Sequence, residues 1–249
     1  MARIYEGSVK MKKYFDKLVT ASANDFYKEV EENLKNKKRM FIITSNPETF
    51  ELANKNEDFN KMLLDDNVTL VPDGIGIVKA SRMIGYPVKE RITGVDLAVK
   101  LFEYANTYNL NVALIGAHEE IITAFVKKLN KDYPNINIVK AVNGYDYDKD
   151  KFFDEIKDKE VDVCLVALGI PAQERLIYKH LNKFNKGIFV GVGGSFDVLS
   201  GMKKRAPKIF QKLNLEWLYR ITTEPKRLKR FYNSNVNFMF KIRKLKKQK

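Results

Sequence analysis

The stretch from Lys186 to Pro207, KGIFVGVGGSFDVLSGMKKRAP, decides how the rest of the chain is read. Its apolar residues Ile188, Phe189 and Val190 climb into Gly191, Gly193 and Gly194, the run ends at a lone acid, Asp197, and a basic segment comes next. A buried strand that stops at glycines and then at a polar residue presents backbone amides and one side chain at the carboxyl edge of an α/β sheet. The residues before this stretch read as the body of the protein, and those after it read as a device for reaching something else.

The body repeats the same pattern. Met40–Ile43 stops at Thr44-Ser45-Asn46-Pro47, Val68–Val71 at Pro72-Asp73-Gly74, Val112–Ile115 at Gly116-Ala117-His118, and Val161–Leu168 at Gly169-Ile170-Pro171. Between these runs lie helical periods such as Ile121, Phe125, Leu129 and Leu97, Leu101, Tyr104. Another, Phe26, Val30 and Leu34, comes after a cap at Ser22 or Asn24. Continuous apolar runs alternating with amphipathic helices predict an α/β fold, a Rossmann-like parallel sheet flanked by helices. Residues 1 to 20 are basic and weakly patterned and suggest no element. Ligands collect at the carboxyl edge of such sheets, which singles out Thr44, Asn46, Asp73, His118, Gln173, Glu174 and Asp197.

Charge divides the chain. Residues 202–249 hold sixteen Lys or Arg against Glu216 and Glu224, which accounts for the whole formal excess of +14, so residues 1–201 are balanced. The sequence therefore reads as a catalytic domain, 1–201, with a basic helical appendage, 202–249. A cationic block of this kind suits phosphate-bearing partners, nucleic acid or an anionic membrane surface. In the tail Leu228, Phe231, Tyr232, Val236, Met239, Ile242 and Leu245 fall at three- and four-residue steps, with Lys226, Arg227, Lys229, Arg230 and Lys241 among the cations around them. An apolar and aromatic face on a cationic helix predicts an interfacial segment, or else a face packed on the body or a neighbour. The aromatics lie at helical spacing and no nucleic-acid module precedes them, which disfavours the nucleic-acid reading.

At 249 residues, 45% hydrophobic and 31% charged, the chain has the composition of an ordinary globular protein. Cys164 lies in the apolar run VDVCLVALGI, expected buried. The N-terminus lacks the apolar core of a signal peptide, and no stretch approaches the roughly 20 apolar residues of a bilayer span. These features predict a cytoplasmic protein that meets membrane only peripherally. No Walker motif or nucleophile elbow occurs, and Gly191-Val192-Gly193-Gly194 lacks the third glycine of the dinucleotide fingerprint. Two histidines and one cysteine argue against zinc. The run Asp146-Tyr147-Asp148-Lys149-Asp150 fails the calcium-loop template and predicts a turn capping a helix from Lys151.

Nine segments in order resemble the WecG/TagA/CpsF family of bacterial glycosyltransferases. They are Thr44–Glu48, Pro72–Val78, Arg91–Leu97, Leu114–Ala117, Asn143–Tyr145, Gly169–Glu174, Gly191–Gly201, Arg205–Pro207 and Leu215–Arg220. The resemblance implies a Rossmann-like, inverting, metal-independent enzyme without cofactor. Such an enzyme moves an N-acetylhexosamine-type sugar, N-acetylmannosamine or a relative, from a UDP donor to an undecaprenyl-diphosphate-linked sugar in teichoic acid or capsule synthesis, on the inner face of the membrane. It also implies self-association into a homo-oligomer. Asp73 becomes the expected general base, with Thr44 and Asn46 on the donor sugar or its diphosphate and Arg91 offsetting charge on the leaving UDP. Gly116, Tyr145, Gln173, Gly191, Gly193, Gly194 and Asp197 are expected to bind UDP. Arg205, Arg220, Arg227 and Arg230 are expected to meet the diphosphate of the lipid acceptor. The alternatives are a nucleic-acid-binding α/β protein, or an epimerase or hydrolase acting on the same donor.

Overall fold

The computed structural model describes residues 10–225 and 227–246, with the side chains of Arg227 and Arg230 outside the described set. A short helix, α1 (10–16), is followed by α2 (Ala23–Lys35), β1 (Arg39–Ser45), α3 (Pro47–Lys55), α4 (Glu57–Leu64), β2 (Val68–Pro72), α5 (Ile75–Met83) and α6 (Gly94–Tyr108). Next come β3 (Asn111–Gly116), α7 (Glu119–Asp132), β4 (Asn137–Val142), α8 (Lys149–Ile156), β5 (Val163–Ala167), α9 (Ala172–His180) and β6 (Gly187–Gly191). The chain ends in α10 (Ser195–Leu199), α11 (Lys208–Lys212), α12 (Glu216–Thr223) and α13 (Arg227–Lys246).

The six strands form one sheet in the order β2-β1-β6-β5-β3-β4, with every pairing parallel. Strand residues alternate between two apolar layers, as period-2 geometry requires. Phe41, Ile43 and Phe189 face one layer, which includes residues of α3, α4, α5, α8 and α9. Met40, Ile42, Ile188 and Val190 face the other, with α2, α6 and α7. Burial on both faces is why these strands read as continuous apolar runs, and Cys164 lies buried among them. Strand β4 escapes that rule, because it lies at the sheet edge with only intermediate burial.

Local signals set the helix starts. Ser22, not Asn24, caps α2 by accepting a hydrogen bond from the Asp25 amide. Asp148 caps α8, accepting from the Asp150 and Lys151 amides at 2.9 and 3.1 Å, so this helix begins two residues before Lys151. From residue 10 the weakly patterned N-terminal segment is packed: Met11, Tyr14 and Phe15 of α1 are buried, and Leu18 pairs in parallel with Leu70.

The tail face divides in two. Phe238, outside the expected apolar series, inserts beside Phe15 and Phe50 at ring separations of 6.3 and 6.2 Å. Ile242 is buried in the same cluster, with Met239 and Leu245 packed against it, so the second half of the expected interfacial face covers the body instead. Lys241 adds an ion pair to the buried Glu51 of α3 at 2.6 Å. Leu228 and Tyr232, at the other end, remain exposed. No helix among the described residues is long and apolar enough to cross a membrane.

Phe238 has 0% exposure, so truncation leaves a cavity the aromatic cluster cannot fill. Phe238→Ala is expected to lower stability by about 3–5 kcal/mol in denaturant titration. Tyr232→Ala, on the exposed end, is expected to change it by less than about 0.5 kcal/mol.

Candidate active site

Three neighbouring strand ends, those of β2, β1 and β6, meet on one half of the carboxyl edge. Register places Thr44 beside Val71 and Ser45 beside Pro72, with Ile43 beside Gly191 on the other flank. Asp73 leaves β2 with its amide bonded to the Ser45 carbonyl at 2.9 Å, and the chain turns at once into α5. The Ile92 amide bonds the Pro72 carbonyl at 2.7 Å, drawing the Arg91–Gly94 segment onto the same spot. Thr93 then caps α6, accepting from the Asp96 amide. The first residue of that helix, Gly94, turns its backbone N–H, which has no intrahelical partner, toward the Asp73 carboxylate and favours its charged form.

Asp73 lies half-buried among protein atoms, and loss of water pushes its pKa up to about 6. The charges of Arg220 and Arg91 pull it back down, Glu216 opposes them, and the Gly94 amide favours the ionised form. The result is a carboxylate that ionises near neutrality beside guanidinium groups, a workable proton acceptor.

The neighbouring groups divide their polar atoms between structure and cleft. Thr44 is buried and its hydroxyl donates to the Gly191 carbonyl at 3.1 Å. Asn46 spends its Oδ1 on capping α3, accepting from the Glu48 and Thr49 amides at 2.9 and 3.1 Å, which leaves its Nδ2 as the donor it has to offer. Gln173 is buried, and its Oε1 accepts from the Gly169 and Gly193 amides at 3.1 and 2.9 Å while its Nε2 donates to Glu174 at 2.7 Å. Gln173 thereby braces the loops that hold Gly169 and Gly193. Gly191 is required by that brace, since a Cβ there would stand 2.6 Å from the Gln173 Nε2. Gly193 has φ +51 and open space around it, so its need is conformational.

Gly194, Asp197, Lys203, Arg205, Tyr219 and Arg220 line a cavity of about 370 Å³, a size suited to a small ligand. Expected donor residues and expected acceptor arginines thus share one wall. Asp197 pairs with Lys203 at 3.0 Å, and Lys203 also reaches Glu224 at 3.2 Å. Gly116 and Tyr145 stand apart, across β5: Gly116 packs on Ala167, and Tyr145 is exposed with its ring flat on His118, centroids 4.0 Å apart. Arg227 and Arg230 open α13, but their side chains lie outside the described residues.

Sequence reasoning missed Glu216, Asp96 and Lys203. Glu216 bonds Arg91 and, through its other oxygen, Arg205 Nε at 3.2 Å, while Arg205 Nη1 reaches Asp96 at 2.7 Å. Glu216 stands in the segment Leu215–Arg220, where the arginine drew attention away from the acid.

The family model for the glycosyl transferase WecG/TagA/CpsF family matches residues 14–249. This chain belongs to that family of glycosyltransferases. A Bacillus spizizenii W23 protein named N-acetylglucosaminyldiphosphoundecaprenol N-acetyl-beta-D-mannosaminyltransferase is 39% identical over 193 residues, 78% of this chain and 75% of its own. A Staphylococcus aureus NCTC 8325 protein of the same name is 36% identical over 209 residues, 84% of this chain and 82% of its own. WecG/TagA/CpsF membership favours the transferase over the nucleic-acid reading, and the family and the names of these relatives fit an enzyme of cell-surface polysaccharide synthesis.

Glu174 gives the site a pH signature. Burial raises its pKa to about 7, its Oε2 has no partner among the described residues, and the Glu48 charge pushes the same way. The folded form therefore holds a proton that the unfolded chain releases near 4.5, so stability falls as pH rises from about 4.5 to about 7. Glu174→Gln keeps the acceptor for Gln173 and removes the charge. Its thermal unfolding midpoint is expected to match the parent at pH 4 and to exceed it at pH 8, by the equivalent of about 3 kcal/mol at most.

Proposed function

We propose that this chain transfers N-acetylmannosamine from a UDP donor to the N-acetylglucosamine of an undecaprenyl-diphosphate lipid, with inversion at the anomeric carbon. The observation that carries the reading is Asp73: a carboxylate directly after β2 at the carboxyl edge, ionising near pH 6, with the charges of Arg91 and Arg220 acting on it. Asp73 takes the proton from the acceptor hydroxyl as that oxygen attacks the anomeric carbon. The bond from that carbon to the β-phosphate oxygen breaks with its electron pair, and UDP departs. Arg91 offsets the charge developing on that phosphate. Asn46 and Thr44 orient the donor, and the amides around Gly193 and Gly194 approach its nucleotide. Arg205 and Arg220, joined by Arg227 and Arg230, meet the acceptor diphosphate. The names of the Bacillus and Staphylococcus relatives support this choice of sugar and acceptor.

The acceptor lipid lies in a membrane, and the C-terminal segment offers a surface for it. Ile209, Leu213, Trp217, Leu228 and Tyr232 are exposed there among lysines and arginines. In this reading they rest peripherally on the anionic inner face, each nearby cation contributing about 1 kcal/mol.

UDP release from a panel of UDP-N-acetylhexosamines, with and without a soluble acceptor analogue, tests the reaction. Release that needs both UDP-N-acetylmannosamine and the acceptor supports it, and acceptor-independent release points to a hydrolase. Below about pH 6 the rate is expected to fall tenfold per unit as Asp73 protonates. Asp73→Asn is expected to lose about 10²–10⁴-fold in kcat, and retention of more than a tenth of the activity would remove Asp73 as the base.

A further inference from the structure

The arginines of the site are joined in a closed circuit of charges. The Asp96 carboxylate accepts from the Thr93 hydroxyl at 2.6 Å and from Arg205 Nη1 at 2.7 Å, Arg205 Nε reaches Glu216 at 3.2 Å, and Glu216 returns to Arg91. Arg91 stands two residues before Thr93, so the circuit begins and ends in one short segment. That segment also contains Gly94, whose amide turns toward Asp73. Glu216 is the link between the catalytic body and α12, the helix that carries Arg220. Its side chain is 9% exposed, and both oxygens are satisfied by guanidinium groups.

We propose that Glu216 is a positioning residue, a clamp that holds α12 on the body so that Arg220 stands over Asp73 and Arg91 and Arg205 keep fixed orientations toward the diphosphates. This deepens the transferase reading and rests on it. The clamp uses one nitrogen of Arg91, Nη2, and Arg205 gives Nε to Glu216 and Nη1 to Asp96. A guanidinium carries five N–H donors, so each arginine keeps donors for phosphate oxygens while the clamp is closed. The circuit therefore orders the cations without consuming them. A buried carboxylate satisfied by two guanidinium groups is costly to undo from one side, since its loss takes the Glu216 ion pair from Arg91 and leaves Arg205 with Asp96.

The test compares the full chain with Glu216→Ala and Glu216→Gln in three readouts: limited trypsin digestion, kcat and KM for the donor, and the pH dependence of kcat/KM. Glu216→Ala is expected to speed tryptic cleavage after residues 203–220 by about tenfold or more, and to lower kcat by about 10²-fold with a smaller change in KM, the cost of misplacing the site by about an ångström. The pH profile separates positioning from simple charge. Deleting one negative charge near Asp73 moves the acidic limb to lower pH, whereas release of Arg220 moves it to higher pH, and the clamp predicts the upward move. Glu216→Gln retains an acceptor and is expected to be intermediate, and it carries the comparison alone where the alanine variant does not fold. Unchanged trypsin sensitivity with a downward shift would overturn the clamp, and a variant faster than the parent would make Glu216 a plug instead. If the parent transfers no sugar from any donor, the transferase reading fails while the digestion still reads the clamp.

Discussion

The arrangement of this protein turns on keeping one carboxylate, Asp73, out of water without losing its charge. Removal of solvent raises its pKa, and the positive ends of the surroundings lower it: the Gly94 amide at the start of α6 and the charges of Arg91 and Arg220. Asp73 and these partners come from three segments of the chain: the end of β2, residues 91–94, and the C-terminal segment. The parallel sheet fixes the first relation, because Asp73 comes directly after the last residue of β2 and is tied by its amide to β1. The loop before α6 fixes the second through the Ile92 amide on Pro72. The C-terminal segment fixes the third. A balance assembled from three segments, each held by its own hydrogen bonds, persists only while all three stay docked.

The sheet was legible because it is buried on both faces, so its strands stand out as unbroken apolar runs ending in small polar residues. Strand β4 was not, since an edge strand of intermediate burial reads as a mixed sequence, Asn137 to Val142. The helix at 10–16 carried a signal that its lysines obscured: Met11, Tyr14, Phe15 and Leu18 fall at three-, four- and seven-residue offsets on one face. In the tail, spacing found Met239, Ile242 and Leu245 but left bilayer, body and neighbour open as their cover. A helical period reports an apolar face and says nothing of what covers it, and here the cover is Phe15 and Phe50, far off in sequence.

For the site, residue type was legible and division of labour was not. Thr44, Asn46, Asp73 and Gln173 stand at strand ends, as the pattern of runs implies. That Asn46 spends its carbonyl oxygen on a helix cap, and Gln173 its Oε1 on two glycine loops and its Nε2 on Glu174, depends on distances no spacing encodes. Glu216 illustrates the limit most clearly, because its partner Arg91 lies 125 residues away. An acid in a segment of overwhelming positive charge is easily read as incidental.

That acid changes the meaning of the charge count. The tail carries only two acids, and both bond cations beside the cleft: Glu216 with Arg91 and Arg205, Glu224 with Lys203. A tail whose charge served solubility alone would have no reason to spend its acids there. Beside these anchors lies the stacked pair Trp217 and Phe231, 4.5 Å apart, with Leu218, Leu228 and Tyr232 exposed near them in the chain. The same segment thus uses an acid, Glu216, where α12 meets the body beside the cavity, and cations where it would meet phosphates. In the proposed reaction this polarity makes docking on an anionic surface and completion of the charge around Asp73 one event, because the helix that carries Arg220 also carries the exposed Trp217 and Leu218.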